Sequence, residues 1–141
     1  MFEKQLPRTL VYLLISIFIV HTLATYLSWY WKIPWLDMPM HFAGGFWVGG
    51  TFVWIFAYGK GILQSSLKKE KLLNIVAILL GVLVVGLLWE IFGYTIDYFT
   101  GREGYDIIDT GSDLFFDLFG GFVAGLYFLK KVNNTFKHNN K

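Results

Sequence analysis

Eight side chains in this sequence could do chemistry together: His21, Asp37, His41, Glu90, Asp97, Asp109, Asp113 and Asp117. All are carboxylates or imidazoles. Carboxylate oxygens suit hard cations such as Mg²⁺ and Ca²⁺, and an added imidazole nitrogen favours Zn²⁺ or Mn²⁺. Acids and histidines at graded depth can instead pass protons. The chain has no Cys, so thiolate catalysis, disulfides and Cys-ligated metals are excluded. No Ser-His-Asp arrangement, phosphate loop or nucleotide motif is visible.

Spacing places these groups on shared faces. At 100° per residue, Gly86, Glu90, Gly93 and Asp97 fall on one side of a helix, as do Asp113, Asp117, Gly120 and Ala124, and Asp37, His41 and Gly44. Each acidic stripe continues into small residues, which let helices approach closely in lipid. The simplest packing turns three stripes toward one axis, with small residues at one end and a polar pocket at the other.

The elements that carry these stripes are apolar. Of 141 residues, 55% are hydrophobic and 16% charged, against about 25% charged in a soluble domain. Four stretches read as membrane-spanning helices at about 9–31, 38–58, 72–98 and 113–129, each set against the roughly 20 residues that cross a bilayer core. The fourth is short and would need local thinning or snorkelling by Lys130 and Lys131. Glu3, Lys4 and Arg8 before the first stretch resemble a signal n-region, but the apolar run is long and no small-x-small site follows, so it reads as a retained anchor. The chain thus reads as an all-α, integral membrane four-helix bundle, one four-span domain over 1–131 with a polar, unstructured cytoplasmic tail at 132–141.

Charge sets the expected orientation. Ten of the twelve Lys and Arg residues precede span one, separate spans two and three, or follow span four; only Lys32 and Arg102 lie on the other side. The positive-inside rule then puts both termini in the cytoplasm, N-in and C-in, in the cell's cytoplasmic membrane. Trp29, Tyr30, Trp31 and Trp35 at one interface and Trp54 and Tyr58 at the other fit aromatic belts. Eight of the ten acids fall in the outer half, all except Glu3 and Glu70.

Plain structural roles compete with chemical ones. Asp37 and Asp109 each precede a helix start and could be N-caps. Asp97, Glu103 and Asp106 could be solvated loop residues. His21 alone on an apolar helix fits a packing role. Glu90 and Asp117 are hardest to explain that way, because intramembrane acids are usually functional. Counting along the helices puts His21 level with Asp117. Spans one and four are therefore expected to be neighbours, with this pair in hydrogen-bond reach.

Three blocks resemble the VanZ-like group of small bacterial membrane proteins, and within it the branch typified by the inner-membrane protein YjdF. They are LDMPMHFAGG (36–45), WEIFGYTID (89–97) and YDIIDTGSDLFFDLFGG (105–121). The resemblance covers about residues 36–125 and maps Asp37, His41, Glu90, Asp109 and Asp113 onto the group's polar positions. Met38 stands where the group usually has Lys, so a charge pair with Asp37 is not carried over. The resemblance implies a cell-envelope setting and names no reaction.

The first functional expectation is a site for a divalent cation, or for an envelope-lipid head group held through one, at the outer membrane face. Asp37, His41, Glu90 and Asp113 would be its ligands. Bare carboxylates repel phosphate, so the cation is required, and metal-assisted hydrolysis or transfer on a lipid could follow. The second is a small proton- or cation-coupled transporter running from Asp113 through Asp117 to His21, which a homo-oligomer would enlarge. The third is a membrane scaffold or assembly partner. The partner common to all three is the lipid bilayer; a net charge of +2 gives no case for nucleic acid. Whether the protein is an enzyme is left open by the sequence.

Overall fold

The computed structural model describes residues 6–58, 71–101 and 106–139. Arg102, Glu103 and Tyr105, and the basic residues of the loop between spans two and three other than Lys71, lie outside the described residues. The described chain is helical, with no strand. Helix α1 spans Arg8–Tyr26, α2 is a single turn Trp29–Lys32, and a 3₁₀ turn Pro34–Leu36 leads into α3, Asp37–Tyr58. Helix α4 spans Lys71–Thr100 and α5 spans Ile107–Asn139.

Four stretches are long and apolar enough to cross a membrane: Arg8–Tyr26, Pro34–Ala57, Leu72–Thr100 and Ile107–Val132. The first ends earlier than expected, because Ser28 adopts a left-handed φ of 56° and turns the chain. The fourth is longer than expected. Asp106 caps α5, its Oδ1 accepting the Ile108 N–H at 2.9 Å, so the helix starts well before residue 113 and has no shortage of length. α5 also runs on to Asn139, so most of the tail expected to lack structure is helical.

Helix α5 packs most extensively on α3 and next on α4, while α1 lies against α3. Leu10, Val53, Ala57, Ile78, Ala124, Phe128 and Val132 form one buried cluster. These residues come from the start of α1, the end of α3, the first half of α4 and the second half of α5, so adjacent spans run in opposite directions. The cluster marks an apolar end, beside Arg8, Lys130 and Lys131. The acids gather at the opposite, polar end. Outward-facing side chains are mostly large and apolar, such as Phe18, Leu88, Ile91 and Phe115. Water would make that surface costly, whereas lipid accepts it.

Small residues bring α3 and α5 into backbone contact. A Cβ on Gly45 would run into the Asp117 backbone, and one on Gly120 into the Phe42 carbonyl. One on Gly49 would sit 2.8 Å from the Cα of Gly121. On α5 the seam includes Gly120 of the expected stripe, but on α3 it runs along Gly45 and Gly49 rather than the expected Gly44, and it fixes the height of Asp117 against α3.

Candidate functional site

The polar end of the α3–α5 seam is built around His41. The ring lies four residues into α3, about 6 Å along the axis from Asp37, and Asp113 lies about 9 Å into α5 from Ile107. Asp117, one turn further, lies about 15 Å in. The imidazole stands between them. Its Nε2 is 3.6 Å from Asp37 Oδ1 and 3.6 Å from Asp113 Oδ2, and its Nδ1 lies 3.3 Å from Asp117 Oδ1, within hydrogen-bond reach. Asp113 and Asp117 are buried, and His41 exposes only 10% of its side chain. Asp37 exposes 37% and is the open edge of the site.

With all three ionised, the carboxylates around the imidazole would leave an excess of negative charge even when the ring is cationic. Two unit charges 4 Å apart interact by about 4 kcal/mol at an effective dielectric of 20. A cation among these oxygens would offset that repulsion. One ligand atom from each of Asp37, His41 and Asp113 lies within 4.8 Å of the others. Ligands about 2.1 Å from a shared ion stand roughly 3.0–3.4 Å apart in octahedral or tetrahedral geometry. The two 3.6 Å separations lie just above that range, and all three atoms lie within 4.8 Å of one another, so the carboxylates would have to draw inward around an ion. Three protein ligands would leave at least one coordination position for water or another ligand's oxygen.

The structure therefore brings Asp37, His41 and Asp113 together and leaves Glu90, the fourth expected ligand, outside the group. Glu90 Oε2 accepts the Thr110 hydroxyl at 2.9 Å. It lines a separate open groove between α4 and α5 with Asp97, Asp106, Asp109 and Thr110. Asp109 is exposed in the first turn of α5, and the capping role considered for it belongs to Asp106.

His21 does not meet Asp117, and the pairing expected from equal depth is overturned. Its Nδ1 is 2.8 Å from the Tyr30 hydroxyl, and its ring meets Trp89 edge-on at 6.1 Å between centroids. Asp117 is satisfied from α3 by His41 instead. Tyr30 lies in the turn between the first two spans, where burial and the nearby Asp37 charge push its phenol up to about 12. It keeps its proton and can donate to His21. Lys32 turns back to the Leu27 carbonyl at 3.1 Å rather than toward the acids.

The sequence singled out Tyr30 only as an interfacial aromatic and did not single out Thr110, whose only signal is proximity to a helix start, which many polar residues share. Gly86 was assigned to a packing stripe, yet a Cβ there would lie 2.8 Å from Asp117 Oδ2. It makes room for a carboxylate rather than for a neighbouring backbone.

A family model described as "Predicted membrane protein (DUF2238)" matches residues 2–134. A protein of Thermotoga maritima described as uncharacterized is 32% identical over 146 aligned positions, covering 95% of this chain and 69% of that one. No solved structure matches the chain.

Proposed function

The chain belongs to the DUF2238 family of predicted membrane proteins, and we propose that it binds a divalent cation of the Zn²⁺ or Mn²⁺ type through Asp37, His41 and Asp113. The observation that carries this reading is His41 Nε2, equidistant at 3.6 Å from a carboxylate of each of two helices. One nitrogen and two oxygens form a donor set of borderline hardness, which favours these ions over Ca²⁺. The partly exposed Asp37 would give the cation a route in from the polar end. There the cation would hold an anionic envelope-lipid head group, which the carboxylates alone would repel. Metal-assisted hydrolysis or transfer on that lipid is the chemistry such an open position supports.

The same reading places the polar end outside the cytoplasmic membrane and both termini inside, with one four-span domain followed by a short cytoplasmic tail. The distribution of Lys and Arg supports it. The wider VanZ-like kinship rests on the three sequence blocks that contain these acids.

Calorimetry on the purified protein tests the binding claim. One Zn²⁺ or Mn²⁺ per chain is expected, with binding weakened about a hundredfold or more in His41→Ala. Absence of any divalent binding by the unmutated chain would remove the claim.

A second reading is favoured by one observation: the two ring nitrogens of His41 face carboxylates at different depths. Such a ring could relay protons between Asp37 and Asp117, as a small coupled transporter requires. In that case protein in vesicles would carry a proton flux that His41→Ala abolishes, with no dependence on added metal.

A further inference from the structure

We infer that Asp117 is the positioning residue of the His41 site: it holds the imidazole proton on Nδ1, so that Nε2 is the nitrogen presented to Asp37 and Asp113. The functional consequence rests on the cation-binding reading, while the placement of the proton does not.

The argument starts from the packing around Asp117. A Cβ on Gly45 would collide with its backbone, so α3 and α5 meet at this residue without an intervening side chain. Its Oδ1 lies 4.0 Å from where a Gly44 Cβ would be, and its Oδ2 lies 2.8 Å from a Cβ at Gly86. Glycines on two neighbouring helices thus form the walls of its slot. The carboxylate is buried, in space that a side chain at Gly86 would take away.

Among the described residues, its one side-chain hydrogen bond is to His41 Nδ1, at 3.3 Å. An ionised carboxylate only accepts hydrogen bonds, so an ionised Asp117 would draw the ring proton to Nδ1, whereas the two carboxylates at Nε2 stand at 3.6 Å, beyond hydrogen-bond reach. The second nitrogen is then the one with a lone pair when the ring is neutral. That nitrogen faces the two other carboxylates at equal distance. Metal-binding histidines commonly use this division of labour, with the distal N–H held by a carboxylate that fixes tautomer and ring orientation. Asp113 and Asp117 are one turn apart on α5 and face the same ring, yet they act on opposite nitrogens. Asp113 would touch the cation; Asp117 would act through His41.

Nitrogen-15 spectra of histidine-labelled, metal-free protein test the placement under conditions where the ring is neutral. The unmutated chain is expected to show His41 protonated on Nδ1. Asp117→Ala should shift it toward the Nε2–H form, and Asp117→Asn, whose amide oxygen still accepts, should restore Nδ1–H. Zn²⁺ affinity should fall about ten- to hundredfold in Asp117→Ala, the range found when a ligand's outer partner is removed. Gly86→Ala gives a second perturbation that leaves every ligand in place and pushes on the Asp117 carboxylate. It should shift the tautomer in the same direction, more weakly, and it decides the matter if Asp117→Ala does not fold. An Nε2–H ring in the unmutated protein, or an unchanged Nδ1–H ring in folded Asp117→Ala, would overturn the inference. Failure of the unmutated protein to bind Zn²⁺ would instead overturn the cation reading and leave the tautomer result standing.

Discussion

Two histidines sit toward the polar end of the bundle, and their surroundings differ in one respect that decides what each can do. Both use Nδ1 for a hydrogen bond, His41 to a carboxylate and His21 to a phenol. The difference is at Nε2. On the α3–α5 seam it faces Asp37 and Asp113. At the α1–α4 corner His21 has no carboxylate within ion-pair distance among the described residues, and its ring rests against Trp89. An imidazole becomes a candidate ligand through the groups it shares space with, and a backbone seam tight enough to hold those groups is part of the requirement.

Breaking the seam should have the largest effect. Gly45→Ala puts a methyl group against the Asp117 backbone. Overpacking of this kind costs about 3 kcal/mol, and it should appear as a lowered Tm in detergent together with loss of Zn²⁺ binding. Gly93→Ala, whose Cβ would meet nothing within 4 Å, should leave stability within about 0.5 kcal/mol of the unmutated protein.

Exchanging the histidines sharpens the contrast. His41→Ala should weaken Zn²⁺ binding by about a hundredfold or more, beyond the usual effect of losing an outer partner. His21→Ala should change it by less than about threefold, because it removes no ligand. A comparable loss in both would erase the distinction between the two regions.

The acids give a smaller version of the same test. Asp113→Asn should weaken Zn²⁺ binding about tenfold or more, while Glu90→Gln should stay within about threefold, because Glu90 is engaged with Thr110 outside the close group. Calorimetric titration of each variant reads both numbers. The smallest effect is expected from Tyr30→Phe. It removes the hydroxyl beside His21 and should leave Zn²⁺ affinity within about twofold, since the phenol contacts no ligand directly.

The sequence made the four spans, the acidic end and the small-residue stripes legible, because apolar length and helical periodicity are local properties. Asp37, His41 and Asp113 could be placed on converging faces for the same reason. The partner of Asp117 could not. Counting residues gives height along a helix, and His21 and His41 both lie in the right half. Which one meets Asp117 depends on which helices are adjacent, and α5 packs on α3. Adjacency follows from the contact at Gly45 and Gly120, a pairwise fit that no single helix displays. The start of α5 was missed because several aspartates precede the apolar run, and only geometry shows that Asp106 is the cap. Glu90 was grouped with the ligands by face alone, whereas the Thr110 hydroxyl engages it.

Zinc-edge X-ray absorption on protein loaded with one equivalent of Zn²⁺ tests the central claim most directly. The reading predicts a first shell of nitrogen and oxygen at about 2.0–2.2 Å, with outer scattering from a single imidazole that vanishes in His41→Ala and persists in His21→Ala. A shell without imidazole scattering, or one unchanged by His41→Ala, would contradict it.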